Sequence, residues 1–264
     1  MVQFTSTDFN NAASESGVVH ENTNHTAYNN ASTIRQGYGT VSPLYSSSLV
    51  AYWLFQETSG TTGYDFSGNG YNATSNNGAG PSGTGTTPAP LGVTSWSLDG
   101  VDDYISLPSG LVSPTSSFSV SFWARPATVS SHMRFIVLRA DVRFIVDVDE
   151  STSGSIDVWT NGTWHQGVGT ISANQWTRVM VTYDSSNDNW AVYVNGSQTS
   201  TFSNALSSGS HSNMIGKQYN NSYHYHGAIS DVTIYNRVIT PSEEQALYNV
   251  VNTQGTLTTQ SKAV

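Results

Sequence analysis

Three short stretches concentrate side chains that could hold a cation or move a proton. In LDGVDDYISLP (98–108), Asp99, Asp102 and Asp103 fall within five positions. Asp99 precedes Gly100, which suits a tight turn, and short carboxylates there accept hydrogen bonds from turn amides. A turn is expected, ahead of calcium or catalysis. In VDVDESTSG, Asp147 and Asp149 stand two apart and share a strand face, which is how a hydrolytic carboxylate pair would be placed; a solvated strand end explains them more simply. In YDFSGNGY, Asp65, Ser67 and Asn69 alternate oxygen-bearing side chains around Gly68 and Gly70. Such a loop can wrap a hard cation, calcium above all, or close an Asx-rich turn that needs no ion. The residues leave both open.

A different chemistry is offered by two aromatic loops. Sugars present apolar C–H faces ringed by hydroxyls, so their binding calls for aromatic rings beside amides, hydroxyls or carboxylates. VWTNGTWHQG supplies Trp159, Asn161, Trp164, His165 and Gln166 around an expected hairpin. KQYNNSYHYHG supplies Tyr219, Asn220, Asn221, Tyr223, His224, Tyr225 and His226. Stacking on Trp164 and Tyr223, with hydrogen bonds from Asn161, Gln166 and Asn221, would hold a glycan. The alternatives are core packing at the edge of the domain for the tryptophans, and a polar rim or subunit contact for the Tyr/His loop. His224 and His226 lack a third metal ligand, and no Gly-x-Ser-x-Gly elbow supports a serine nucleophile. The chain is expected not to be an enzyme.

The elements that must position these residues are strands. Runs rich in Val, Ile, Tyr, Trp and Phe, broken by Gly, Asn, Asp and Ser, are expected as strands at 49–55, 103–107, 117–125, 134–139, 142–148, 155–160, 176–184, 189–195 and 228–236. Phe118, Val120, Phe122 and Ala124 alternate with Ser117, Ser119, Ser121 and Trp123, so each such strand has one face for a core. Two packed antiparallel sheets follow. Asn195-Gly196 between two such runs predicts a type I′ hairpin. In TPSEEQALYN, Thr240, Pro241 and Glu243 form a capping box for one short C-terminal helix. Residues 75–94 read as a long exposed loop, residues 1–47 as a polar extension able to anchor or assemble, and 251–264 as a tail.

Composition limits the partners. The chain of 264 residues carries 18 acids against 9 bases, a net charge of −9, so no basic face for nucleic acid is expected. It has no cysteine, which leaves oxygen or histidine as metal ligands. No apolar run is long enough for membrane insertion, and MVQFTSTDFNNAASESG lacks the basic start and apolar centre of a signal peptide.

Five blocks, in order, resemble the laminin-G-like, concanavalin A-like jelly-roll family: LVAYWLFQETSGTTGYDFSGNGYNAT, WSLDGVDDYISLP, SFSVSFWARP, NQWTRVMVTYDSSNDNWAVYVNG and GAISDVTIYNRVITPSEEQALYN. The resemblance covers about 48–250. It implies an all-β jelly-roll sandwich of two antiparallel sheets, a structural role for the DGVDDY block, and a calcium loop at Asp65, Ser67 and Asn69 with Asp231 as a distant partner. Asp147 and Asp149 are similar only in spacing to laminarinase-type glycoside hydrolases, whose leading glutamate is missing here.

Taken together, these features predict a non-catalytic surface protein that binds cell-surface or environmental glycans. A family that works outside cells, on a chain without a secretion signal, suggests a virion capsid or tail protein used in host attachment, anchored through residues 1–47 to other virion proteins and forming a homo-oligomer. A purely structural decoration protein, or a carbohydrate-binding module of a secreted protein, are the alternatives.

Overall fold

The computed structural model describes residues 47–81, 95–130, 132–149 and 152–257. In chain order the strands are β1 (Leu49–Trp53), β2 (Thr62–Gly63), β3 (Ala73–Asn76), β4 (Gly80–Pro81), β5 (Trp96–Asp99), β6 (Tyr104–Leu107), β7 (Phe118–Pro126), β8 (Met133–Leu138), β9 (Phe144–Asp149), β10 (Ser155–Thr160), β11 (Thr163–Thr170), β12 (Thr177–Asp184), β13 (Asn189–Val194), β14 (Ser197–Ser203), β15 (Asn213–Ile215) and β16 (His226–Tyr235). A helix, α1 (Pro241–Leu257), follows. One sheet runs β14-β13-β12-β7-β16-β5-β4 with β1 also on β16; the other runs β11-β10-β9-β8-β15-β6-β3-β2. All pairs are antiparallel.

The alternation in β7 works as its pattern requires. Phe118 and Phe122 point inward to Phe144 and Phe135 of the second sheet, at 6.0 and 5.3 Å between ring centroids. Phe144 also stacks on Trp190 at 5.5 Å. Full burial of such side chains contributes roughly 1.5–3 kcal/mol each, so this aromatic layer holds the two sheets together.

The outer face of the first sheet is closed by α1. Met180, Tyr193, Tyr235, Ile239 and Leu247 make a small second core there, Trp123 stacks on Tyr248 at 5.8 Å, and Arg178 pairs with Glu244 beneath the helix. The helix begins with the expected box: the Thr240 amide donates to Glu243 Oε2 at 2.8 Å and the Glu243 amide to Thr240 Oγ1 at 3.3 Å. Asn195 and Gly196 take φ of 51° and 79°, as a type I′ turn demands.

Three expectations need correction. Residues 75–94 are not all exposed loop: Ser75 and Asn76 end β3, Gly80 and Pro81 form β4 against β5, and Ser75, Ala79 and Gly80 are buried; residues 82–94 lie outside the described ones. The polar strand β14 (SQTSTFS) lacks the apolar alternation that announces a strand, because it lies at a sheet edge with mostly exposed side chains, and β3 (ATSN) buries only the small Ala73 and Ser75. The helix runs on to Leu257, beyond the tail boundary at 251. The extension expected at 1–47 lies outside the described residues except for Ser47.

Candidate functional site

Among the described residues, no helix covers the outer face of the second sheet. A cross-strand row of side chains occupies it instead: register pairs Met214 of β15 with Val137 of β8, Val137 with Ile145 of β9, Ile145 with Trp159 of β10, and Trp159 with Trp164 of β11. Val137, Ile145 and Met214 form a third apolar cluster, with Trp159 packed on it. Five strands at ~4.8 Å spacing make this row roughly 19 Å long. At its aromatic end it rises from buried floor to exposed ring, Trp164 being 39% exposed.

The loop 216–225 closes over this floor from the other side. Gly216 starts it at φ 93°, where a Cβ would collide with Leu98. Inside it, Asn221 and Tyr223 hold left-handed backbone at φ 60° and 57°, a costly conformation for tyrosine that persists only where its surroundings impose it. The Arg134 amide donates to the Tyr223 carbonyl at 3.0 Å and ties the loop to β8. Tyr219 and Tyr223 are each left 41% exposed.

Arginines join the two aromatic loops. The Arg134 guanidinium lies 4.9 Å from the Trp164 ring centre and 4.5 Å from that of Tyr223. It donates from Nε and Nη2 to Gln218 Oε1 at 3.1 and 2.9 Å and pairs with Asp147. Burial pulls its pKa down to about 10, so it stays charged at neutral pH. Farther along the same face, Arg139 lies 4.6 Å from Trp159 and 5.2 Å from Tyr219, and Arg143 lies 5.2 Å from Trp159. His132 sits by Tyr223 at 4.8 Å and bonds Asp147 Oδ2 at 2.8 Å. Cation–π contacts of this kind strengthen as they are desolvated.

The acids on this face are not a solvated strand end, and that expectation is corrected. Asp147 has no solvent exposure, and Asp149 and Asp157 are buried too. The loops that cover this sheet also cover its polar side chains, and Arg134 and His132 hold Asp147 in place. Asp157, opposite it on β10, accepts the Ser155 hydroxyl and the Gly167 amide. A substrate cannot reach a carboxylate so enclosed.

Of the residues singled out for glycan, Trp159, Trp164, Tyr219 and Tyr223 meet in this groove. Gln166 is exposed on β11 near Trp164. Asn161 forms the β10–β11 turn at φ 45°, accepting the Ser207 hydroxyl, and Asn221 accepts from Lys217. His165 lies elsewhere. It pairs with Val158, whose side chain faces the core, and stacks on Phe202 at 3.7 Å; burial lowers its pKa. His224 is partly buried. Tyr225 points inward, fully buried against Phe135, with its hydroxyl on the Ala228 carbonyl. Arg134, Arg139, Arg143, His132 and Gln218 were not foreseen; three arginines within RFIVLRADVR, on an acidic chain with seven in all, were the available signal.

The loop at Asp65 is arranged as a turn. Its Oδ1 accepts the amides of Tyr52 and Ser67, and its Oδ2 the Ser67 hydroxyl and Tyr71 amide, at 2.8–3.0 Å. Asn69 directs its amide nitrogen to the carbonyls of Leu49 and Val50. Asp231 accepts the Tyr52 and Ser230 hydroxyls. With the Asp65 oxygens committed to protein donors, these side chains as placed do not fit a calcium cage. At Asp99, Oδ1 accepts the amides of Val101 and Asp102 at 2.8 and 3.3 Å, and Asp103 Oδ2 accepts that of Asp99 at 2.9 Å, which is the turn geometry expected there.

Asp231 has a further consequence. Burial raises its pKa to about 7, despite the hydrogen bonds from Ser230 and Tyr52 and the charge of Arg178. In the unfolded chain it ionises near 4. Its contribution to stability is therefore fully present below about pH 4 and lost as pH rises through about 7, amounting to a few kcal/mol. Asp231→Asn should gain on the wild type across that window, measured as the difference in urea midpoint; a difference that stays flat from pH 4 to 8 would contradict it.

Residues 99–243 match the Laminin_G_3 family, described as the concanavalin A-like lectin/glucanases superfamily. Among curated proteins nothing matches. Solved structures of similar fold include the binding domain of Paraclostridial Mosquitocidal Protein 1 (17% identity, TM-score 0.60, covering 76% of this chain and 52% of that one). Domain 4 of AbnA, a GH43 extracellular arabinanase from Geobacillus stearothermophilus in complex with arabinotriose, is similar at 23% identity and TM-score 0.59, covering 76% and 98%. The botulinum neurotoxin serotype G binding domain follows at 17% and 0.53, covering 76% and 51%. The chain thus spans about half the length of the toxin domains. With more than half of its length matched by that family's model, this chain belongs to the concanavalin A-like lectin/glucanases superfamily.

Proposed function

We propose that the groove on the second sheet binds glycan without catalysis. The observation that carries this reading is the exposed aromatic end of the row, where Trp164, Tyr219 and Tyr223 stand around Arg134 and Arg139 over a buried apolar floor. Domain 4 of AbnA, a similar fold seen with arabinotriose, lends support. The buried, ion-paired state of Asp147 speaks against hydrolysis.

The finer reading is a protein of the virion surface, or an extracellular one, used in attachment: residues 1–47 anchor it to other virion proteins, and copies in a homo-oligomer offset weak single sites by avidity. The test is a neutral and acidic oligosaccharide panel read by titration calorimetry. Binding is expected, with Trp164→Ala and Tyr223→Ala each weakening it at least about tenfold. No binding by any sugar, or unchanged affinity in both variants, would refute the groove; if those variants instead dissociate an oligomer, the loops are subunit contacts.

A further inference from the structure

Among the described residues, Arg139 and Arg143 have no counter-charge. They flank the β8–β9 hairpin, RADVR, and neither forms an ion pair among the described residues. Arg139 is 8% exposed, and the buried Nε atoms of both have no hydrogen-bond partner. The acid between them in sequence is engaged elsewhere: Asp141 accepts the amides of Gly110, Leu111 and Val112 and the Asn213 side chain. Burial first, and the charge of Arg143 second, lower the pKa of Arg139. Two guanidinium groups that repel each other on a protein of net charge −9 are costly unless something anionic completes them.

Both sit on the ring of Trp159, and Arg139 also on that of Tyr219, at the aromatic edge of the groove. Arg143 is partly exposed there. Guanidinium is suited to carboxylate and sulfate, whose oxygens match its planar fork of donors. Resting on the glycan reading above, we propose that Arg139 and Arg143 form an anionic subsite and that the preferred ligand is an acidic glycan carrying carboxylate or sulfate. The exposed Trp164 ring, packed beside Trp159, would take the sugar face while the arginines take its charge.

The experiment compares matched pairs on the wild-type protein: tetragalacturonate with its fully methyl-esterified, neutral form, and a sulfated carrageenan tetrasaccharide with neutral neoagarotetraose. At least one acidic member should bind at least about tenfold more tightly than its neutral partner, with the advantage shrinking as salt is raised. The pair that discriminates identifies carboxylate or sulfate. Arg139→Gln/Arg143→Gln should abolish the advantage of the acidic member over its neutral partner, both measured on that same variant. Equal binding of acidic and neutral partners, or neutral binding alone, overturns the subsite and leaves the glycan groove standing; binding of no sugar overturns both. Because the first comparison needs no variant, it holds even where the double substitution does not fold.

Discussion

Glu244→Ala should cost about 3–5 kcal/mol of stability, because it strands a charge inside the protein. Arg178 and Glu244 expose 4% and 0% of their side chains. Arg178 Nε donates to both Glu244 oxygens at 2.9 and 3.3 Å, and Nη2 to one at 3.0 Å. Burial alone would push the arginine pKa down, but the charge and hydrogen bonds of Glu244 reverse that, and it ends above its ordinary value. Removing the carboxylate leaves the desolvation without the compensation. Replacing both partners by apolar residues, as in Arg178→Met/Glu244→Leu, should recover most of the loss, since buried pairs roughly break even against well-packed apolar groups. Urea unfolding monitored by circular dichroism separates the cases. A loss below about 1 kcal/mol for Glu244→Ala would mean the pair is solvated in solution.

Arg134→Ala is expected to lose a similar 3–5 kcal/mol, now at the groove. Among the described residues, Asp147, with no exposure, would keep only His132 as a partner, while Gln218, Trp164 and Tyr223 would lose the group on which they converge. The damage should be local as well as global. Hydrogen exchange should speed up in 216–225 and in the 161–166 turn more than in β12 and β13, whose amides are held by the sheet. Arg134→Met/Asp147→Leu offers the sharper test: stability should return while glycan binding does not, because the guanidinium that braces both rings is gone. If the double variant binds as the wild type does, Arg134 has no positioning role.

The sandwich was readable from residues because its central strands carry their inward face in their own letters. Phe118, Val120, Phe122 and Ala124 announce their side without help from neighbours. The edges were not readable in this way: SQTSTFS has no apolar face, and it is a strand only because β13 offers it a partner. Both aromatic loops stood out by composition, yet their meeting on one face depends on register, which pairs Trp159 with Trp164 and sets Arg134 opposite Asp147. Tyr219, Tyr223 and Tyr225 look alike in YNNSYHYHG, but only Tyr225 is directed inward, after the left-handed turn at Tyr223. Arg134 and Arg139 bound the apolar run RFIVLR, and nothing in that run records that both guanidinium groups are buried. A sheet face roofed by loops instead of solvent is a tertiary fact that no local pattern records.

The position of α1 bears on how the domain can be mounted. The described chain enters through β1 and leaves through the helix, and both belong to the first sheet, while the groove lies on the second. A tether at either end therefore pulls from the back of the domain and leaves its recognition face turned outward. A display joined directly at Ser47 or at the end of α1 would present every groove to the medium, which is the orientation a sensor surface, or an array of copies on a large particle, requires.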